Sequence, residues 1–345
     1  MPRVMIQDYP HRLAGHCGSG ALRDLLDWAG LGWDGPPGEA LVFGLGGGLD
    51  FHWMWLPDAD PLLYLGGRTK DLELTLCARL GIAVEPRRTE DPAEAWEWVA
   101  AELDEGRPVM VWTDILELPY LRVRLSNTRH DLVVVGYDTD AGTAYVADND
   151  REEIQEVSLD ALAKARDSQG FPGPNRNATY PMRFPERLPD LLPVARDAAA
   201  ASVEALCHGE GVGALLPASI GYAGQMEGIA RFAETFSAWP DLLPPEALGR
   251  AYRSLSVFIE KAGTGGGLFR RLQAGFCRGV AALTGDAPFR EAASSYAACA
   301  AAWSALASAA AAPDPDPGDL ARLVSALRPL EERAADDLAK AAAAS

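Results

Sequence analysis

The sequence predicts an α+β N-terminal domain followed by an all-α C-terminal domain. Through residues 1–170, apolar runs rich in β-branched residues alternate with amphipathic segments, which is typical of mixed strands and helices. Six prolines then lie within residues 171–193, and we expect an irregular linker at 171–191 because proline lacks a backbone donor. The β-branched runs disappear beyond it, so residues 192–345 are predicted to form the helical domain.

The N-terminal domain is predicted to have a central antiparallel sheet and a first helix of which Cys17 is the first or second residue. Residues Ala21, Leu22, Leu25 and Leu26 recur at helical spacing behind this cysteine, which predicts a helix that ends at Gly30. Further helices are expected at 71–81, 91–106 and 158–168, and strands at 82–86, 108–114, 131–138 and 143–150. The last two strands flank the turn TDAG and form a predicted hairpin.

The C-terminal domain has helical periodicity in six segments. They are residues 192–208, 213–237, 245–262, 267–284, 287–311 and 318–343.

Composition excludes several classes of function. The net charge of −18 opposes nucleic acid as a partner, because phosphate contacts need a basic face. No run is long enough to span a bilayer, and the N-terminus lacks the features of a signal peptide, so we expect no membrane partner and a cytoplasmic location. The five cysteines have no paired spacing, which predicts free thiols, no metal site and no disulfide framework.

Cys17 is the candidate nucleophile. It lies in HCGSG, where the predicted helix begins, so unpaired backbone N–H groups and the helix dipole would favour the thiolate. The glycines at 18 and 20 leave room for a substrate carbonyl, and the Cys17 N–H could contribute to an oxyanion hole. An inert core cysteine is the alternative interpretation.

His130 and Asp148 are the candidate partners of this thiol. His130 directly precedes the strand DLVVVGYD, and Asp148 lies in the neighbouring hairpin strand, so a tight hairpin would bring the two side by side. Asp150 and Asp138 are rivals for the role of the aspartate.

Other side chains are candidates for lining the site. His16 either hydrogen-bonds the loop that enters the helix or faces the substrate, and Asp114 and Tyr120 follow the strand at 108–114 and are expected near the pocket. The arginines at 122, 124 and 129 form the one local concentration of positive charge, either as a solvated strand edge or as a cationic rim beside His130.

These motifs together resemble the papain-like cysteine fold, in the form found in bacteriocin-processing transporter peptidases (peptidase C39-like). In that superfamily a residue six positions before the cysteine, usually glutamine, helps to bind the oxyanion. His11 occupies this position here, so the resemblance implies His11 as a candidate oxyanion donor and departs from a standard peptidase.

The chain as a whole resembles more closely the BtrH-like family of butirosin biosynthesis acyltransferases. The matching stretches are HRLAGHCGSG, GLGGGLDF, DILELPY, HDLVVVGYD and SLDALAKAR, and residues 190–345 loosely match the domain of uncharacterised function that often follows. The resemblance implies transfer of an acyl group from an acyl carrier protein, or from acyl-CoA, to a small-molecule amine. Cys17 would be the nucleophile, His130 the base and Asp148 its orienting group.

The same resemblance implies no cofactor besides the 4′-phosphopantetheine that belongs to the donor. Cyclisation, in which the amine lies in the acyl chain itself, is a variant of this reaction. An amidase or peptidase-like hydrolase would use the same three residues with water as acceptor, and a catalytically silent binding protein could have the same fold.

Overall fold

A computed structural model of the chain describes residues 3–56, 62–209 and 221–344, and its architecture is mixed α and β. Numbered in chain order, the strands are β1 (Arg3–Met5), β2 (Leu49–Trp55), β3 (Leu63–Arg68), β4 (Ala83–Val84), β5 (Val109–Thr113), β6 (His130–Asp138), β7 (Thr143–Ala147), β8 (Gln155–Ser158), β9 (Thr179–Tyr180), β10 (Met182–Arg183) and β11 (Gly221–Gly224).

The helices are α1 (Cys17–Trp28), α2 (Glu39–Leu45), α3 (Leu72–Leu80), α4 (Pro92–Asp104), α5 (Leu159–Asp167), α6 (Leu191–His208), α7 (Gln225–Phe236), α8 (Trp239–Leu242), α9 (Pro245–Glu260), α10 (Arg270–Thr284), α11 (Ala287–Ala310), α12 (Pro317–Ser325) and α13 (Leu327–Ala343). Within the described ranges, no helix combines the length and apolar character that crossing a bilayer requires.

The chain divides into two compact units, each built from two segments. Unit 1 contains Met1–Pro37 and Leu80–Leu188, and unit 2 contains Gly38–Arg79 and Pro189–Ser345. This division differs from the predicted boundary at residue 170, because β2 pairs with β11 and so joins residues of the N-terminal half to the C-terminal helices. A continuous apolar run such as LDFHWMW has no clear period, and the sequence therefore did not reveal β2 as a strand.

Unit 1 is built on an antiparallel sheet with strand order β8-β7-β6-β5-β9, to which β1 adds by pairing with β6. Strand β6 is the central strand: it pairs with β5 and β7, and eight of its nine residues are buried. Helix α1 packs against β6, and its residues Leu22, Leu25 and Leu26 are at most 1% exposed. The start of α1 is thereby held against the sheet.

The predicted linker at 171–191 is also corrected. Strands β9 and β10 lie within it, and β9 extends the main sheet by pairing with β5, so this proline-rich stretch is part of unit 1 up to Leu188. The prolines occupy positions outside the two short strands, where no ladder hydrogen bond is needed from them.

Unit 2 is predominantly helical and contains a three-stranded antiparallel sheet of order β11-β2-β3. Phe51, Phe232 and Trp303 form part of its aromatic core. Beside them Arg270 and Glu331 form a fully buried ion pair at 2.7 Å. The C-terminal region is helical as predicted, but β11 makes the expectation of an all-α domain wrong. Residues 213–220 of the predicted helix 213–237 lie outside the described residues, and helix α7 covers most of the remainder.

Candidate active site

Cys17 is the first residue of α1, and its side chain is half-buried. His16 precedes it in an extended conformation and caps the helix, because its Nδ1 accepts a hydrogen bond from the backbone N–H of Ser19 at 3.1 Å. The first turn of a helix has free N–H groups and the positive end of the dipole. Cys17 therefore lies in a field that favours an anionic sulfur. The capping bond of His16 is a role that the sequence analysis did not name.

Close packing ties the first turn of α1 to the segment that contains Asp148. A Cβ at Gly20 would lie 2.5 Å from Cβ of Ala14, so glycine is required for this approach. Ala14 in turn donates its N–H to the Asn149 carbonyl at 2.9 Å and accepts a hydrogen bond from Asn149 Nδ2 at 3.0 Å. These contacts hold the helix start in register with the end of β7.

His130 and Asp148 meet across the β6–β7 hairpin. Val133 pairs with Ala147, so Asp148 lies alongside the residue two positions after His130 and on the same face of the sheet. Nε2 of His130 and Oδ2 of Asp148 are 2.9 Å apart. His130 is 8% exposed and Asp148 is fully buried, so the pair is almost completely removed from water.

The electrostatics of this pair favour the charged forms. Burial by itself would lower the pKa of His130, but the charge of Asp148, their hydrogen bond and an interaction with Cys17 together raise that pKa well above its usual value. Burial would raise the pKa of Asp148, and the charge and hydrogen bond of His130 together with Tyr120 lower it instead. Because Nε2 is bonded to Asp148, Nδ1 is the ring nitrogen left to face the thiol.

Tyr120 is half-buried and holds the carboxylate of Asp148. Its hydroxyl donates to Asp148 Oδ2 at 2.8 Å, and the guanidinium of Arg151 donates to the Tyr120 carbonyl at 2.7 Å. The backbone N–H of Asp150 donates to the other oxygen of Asp148 at 3.2 Å. Asp148 is thus fixed by three donors, His130 included.

The structure adds Asp131, which the sequence analysis missed. The Cys17 thiol donates to Oδ2 of Asp131 over an Sγ···Oδ2 distance of 3.8 Å, and Asp131 is 1% exposed. Alternation along a strand predicts that Asp131 and its neighbour His130 point to opposite faces. Spacing therefore offered no signal that both residues would reach the sulfur.

His11 is not positioned as an oxyanion donor, which corrects the expectation drawn from the family resemblance. Its Nδ1 lies 3.0 Å from Asp24 Oδ2, and its Nε2 lies 2.8 Å from the carbonyl oxygen of Arg151. Both ring nitrogens are therefore engaged within the fold. His11 instead links α1, through Asp24, to the arginine that holds Tyr120.

Asp114 is 1% exposed, and hydrogen bonds within the fold engage both oxygens of its carboxylate. One oxygen accepts from the backbone N–H groups of Leu116 and Asn127, and the other accepts from the hydroxyls of Ser126 and Ser168. These four bonds outweigh burial and lower the pKa of Asp114. They shape the loop that leads from β5 to His130.

The rivals of Asp148 have other partners. The Asp138 carboxylate accepts the backbone N–H groups of Asp140 and Ala141 in the hairpin turn, and the exposed Asp150 carboxylate pairs with Arg151. Asp148 is the aspartate that the fold brings to the ring of His130.

The rim loop, which we define as residues 121–129, connects Tyr120 to His130. Arg122 and Arg124 are exposed in it, together with Val123 and Leu125. Arg129 is also exposed, and its guanidinium lies 5.4 Å from the ring centroid of Trp112. The loop therefore presents both positive charge and apolar surface beside the histidine.

The other cysteines lack these features. Burial raises the pKa of Cys77 to about 12 and also raises the pKa values of Cys207, Cys277 and Cys299. Cys17 differs from them by its place at a helix start beside His130.

A half-buried cysteine at a helix N-terminus, next to a buried histidine–aspartate pair, is the arrangement of sites that use a cysteine nucleophile. Two protein-family models match the chain. The family model described as butirosin biosynthesis protein H, N-terminal, matches residues 16–149, and the model described as a domain of unknown function (DUF4872) matches residues 160–338. The chain belongs to this family, with a BtrH-like N-terminal domain followed by a DUF4872 domain. No curated protein matches the chain.

Proposed function

We propose that the chain is a cysteine-dependent acyltransferase of natural-product biosynthesis with a papain-like catalytic unit. It would move an acyl group from a thioester donor to an amine through an acyl-enzyme on Cys17. The buried His130–Asp148 pair, with its ring nitrogen and carboxylate oxygen 2.9 Å apart and an electrostatic coupling of His130 to Cys17, is the observation that carries the proposal. The match to the butirosin biosynthesis model supports the biosynthetic setting.

Before the first half-reaction, the Cys17 thiol passes its proton to His130, which gives a thiolate beside an imidazolium. The sulfur then attacks the carbonyl carbon of the donor thioester. The new C–S bond replaces the old one, and His130 returns the proton to the departing thiol. Asp148 stabilises the imidazolium during this exchange, and Tyr120 keeps the carboxylate in place. The Cys17 backbone N–H is a donor for the developing oxyanion.

In the second half-reaction, an amine attacks the acyl carbon and the Cys17 sulfur leaves. One thioester replaces another in the first half-reaction at nearly equal free energy, whereas formation of an amide makes the second half-reaction favourable. His130, neutral after the first step, accepts a proton from the amine.

An acyl carrier protein is the donor that the rim loop favours. Such carriers are usually acidic, and the exposed Arg122 and Arg124 beside exposed Val123 and Leu125 offer a complementary surface in a chain of net charge −18. Replacing both arginines by alanine should raise KM for a carrier-bound donor and leave KM for a small thioester unchanged. An equal rise for both donors would contradict this role.

The direct test is a mass adduct on Cys17. The protein is incubated with an acyl thioester of N-acetylcysteamine, and intact mass and peptide mapping locate the acyl group. We expect an adduct on Cys17 that survives until an amine is added, with Cys17→Ala unlabelled and Cys77→Ala labelled as in the wild type. Rapid loss of the adduct to water would indicate a hydrolase, and no adduct would indicate a silent binding protein.

A further inference from the structure

His11 lies between two groups that accept hydrogen bonds. Its Nδ1 is 3.0 Å from Oδ2 of Asp24, and its Nε2 is 2.8 Å from the carbonyl oxygen of Arg151. The side chains of His11 and Asp24 are nearly buried, at 5% and 3% exposed. A carbonyl oxygen has no proton to donate, so Nε2 must supply the hydrogen of its bond.

The partners of Asp24 are those of an ionised carboxylate. Its Oδ1 accepts a hydrogen bond from Nε of Arg23 at 2.8 Å, and its Oδ2 accepts one from the backbone N–H of Arg12 at 3.3 Å. Both partners are donors, so neither oxygen needs a proton of its own, and Nδ1 of His11 supplies the hydrogen of the third bond. The hydrogen-bond pattern therefore assigns a proton to each ring nitrogen of His11, which makes the ring an imidazolium.

The two ends of this bridge belong to the helix of Cys17 and to the turn of Asp148. Asp24 lies in α1, whose first residue is Cys17. Arg151 donates its backbone N–H to the carbonyl of Asp148 at 3.0 Å, and its guanidinium donates to the carbonyl of Tyr120 at 2.7 Å. The position of Arg151 therefore helps to set where the Asp148 carboxylate lies.

A second bridge between the same segments contains no group that titrates. Ala14 donates its backbone N–H to the carbonyl of Asn149 at 2.9 Å and accepts a hydrogen bond from Nδ2 of Asn149 at 3.0 Å. The bridge through His11 differs, because a neutral imidazole has a single N–H. Loss of one proton leaves a ring nitrogen that faces an acceptor oxygen with no hydrogen between them, so one of the two bonds is lost.

Guanidiniums and the carboxylates that pair with them surround His11. They are Arg12, Arg23, Arg151, Asp24, Asp27 and Asp150. Guanidiniums stay charged at every pH that a folded protein tolerates. Burial and the charge of Asp24 raise the pKa of the neighbouring Tyr9 well above its usual value, so this hydroxyl stays neutral. Imidazole is the side-chain group whose charge ordinarily changes between about pH 5 and pH 8.

We propose that His11 is a positioning residue whose charged ring fastens the turn of Asp148 to the helix of Cys17, and that its deprotonation loosens the site. While the turn is fastened, Asp148 stays in contact with His130 and supports the charged ring beside the sulfur. Once one bond of His11 is lost, fewer contacts hold the turn, and Cys17 reacts more slowly. The effect on acyl transfer rests on the proposed function, whereas the effect on the thiol itself needs no acyl group.

The first experiment observes the ring directly by NMR. The chain has five histidines, so labelling with nitrogen-15 histidine gives few signals, and the signal that is absent from His11→Gln belongs to His11. Long-range proton–nitrogen correlation distinguishes a ring with two protonated nitrogens from either neutral tautomer. We expect two protonated nitrogens for His11 at pH 6 and one as the pH is raised. A neutral His11 ring at pH 6 would overturn the proposal.

The second experiment measures the rate of iodoacetamide labelling of Cys17 in the wild type and in His11→Gln from pH 6 to pH 9. The ratio of the two rates removes the ordinary effect of pH on the thiol. Because the glutamine amide is neutral and does not titrate, the ratio should be about ten at pH 6, as expected for loss of a charge-assisted hydrogen bond, and should approach one as the His11 ring loses its proton. His208→Gln, at the exposed end of α6, is the matched control and should label like the wild type at every pH.

A further variant keeps the charge without the titration. The ammonium group introduced by His11→Lys stays protonated over this pH range and has three donors for the Asp24 carboxylate and the Arg151 carbonyl. Its labelling rate should therefore stay above that of His11→Gln up to pH 9.

The outcomes separate positioning from packing and from the proposed function. A ratio that stays constant from pH 6 to pH 9 overturns the role of His11, even where a thioester forms an acyl adduct on Cys17. A ratio that falls with pH in a protein that forms no adduct supports the role of His11 and contradicts acyl transfer. If the buried Cys77 of His11→Gln becomes labelled, that variant is unfolded, and the wild-type spectra together with His11→Lys decide the question.

Discussion

Replacing Asp148 by asparagine should strongly reduce the reactivity of Cys17. Asparagine keeps the size of the side chain but removes the negative charge 2.9 Å from Nε2 of His130. Without it, burial opposes the charged ring and only the interaction with Cys17 offsets it, so the pKa of His130 falls from its raised position. The charged form of the ring is then less favoured at neutral pH, and the sulfur loses support from its cationic neighbour.

The size of the effect follows from the geometry. Two unit charges 2.9 Å apart attract by about 6 kcal/mol at an effective dielectric constant of about 20. Desolvation of the two nearly buried groups cancels much of this attraction. The net contribution of a hydrogen bond to a charged group is about 1.5–3 kcal/mol. Since about 1.4 kcal/mol corresponds to a factor of ten, alkylation should slow about 10- to 100-fold.

The assay is the rate of iodoacetamide labelling of Cys17 at pH 7, measured by peptide mass spectrometry. The buried thiols of Cys77 and Cys277 serve as internal references for unfolding, and Asp150→Asn at the same end of the hairpin is the control variant. A rate in Asp148→Asn within a factor of two of the wild type would refute the electrostatic coupling. Labelling of Cys17 no faster than Cys77 in the wild type would refute activation altogether.

Three further predictions concern stability, each measured by urea unfolding. The raised pKa of His130 stabilises the fold fully below about pH 6.5, and this contribution is lost as the pH rises. The lowered pKa of Asp148 stabilises the fold fully above about pH 4, and this contribution is lost as the pH falls. The free energy of unfolding of the wild type should therefore exceed that of Asp148→Asn most between these two pH values. Tyr120→Phe should lower the unfolding free energy by about 1–3 kcal/mol, because a buried carboxylate loses a donor. Gly20→Ala should lower the unfolding free energy by about 1–3 kcal/mol, because the added Cβ overpacks against Ala14. At Gly279 an added Cβ would lie 3.7 Å from its nearest neighbour, so Gly279→Ala should raise the unfolding free energy by up to about 1 kcal/mol through the higher helix propensity of alanine in α10.

Much of unit 1 could be predicted because its signals are local. The helical spacing behind Cys17 predicted a helix of which Cys17 is the first or second residue, and in the structure Cys17 is the first residue of α1. The turn at 139–142 predicted the β6–β7 hairpin, and the hairpin register accounts for the contact of His130 with Asp148. Periodicity and turn chemistry act over a few residues, so one sequence is sufficient to read them.

Other features depended on contacts between distant segments. The period-two rule separates Asp131 from His130, yet tertiary packing of α1 brings the Asp131 carboxylate to the Cys17 sulfur. We expected His11 to donate a hydrogen bond to the oxyanion, but its two ring nitrogens instead bond the Asp24 carboxylate and the carbonyl of residue 151.

By itself, the sequence determined where the helix that carries Cys17 starts and which hairpin carries His130 and Asp148, because these depend on local periodicity and turns. Only the tertiary structure decided that β2 and β3 join the C-terminal helices and that a second carboxylate contacts the thiol. Strand pairing and side-chain approach across more than a hundred residues, as between Cys17 and Asp131, depend on how whole elements pack and leave no periodic trace in the chain.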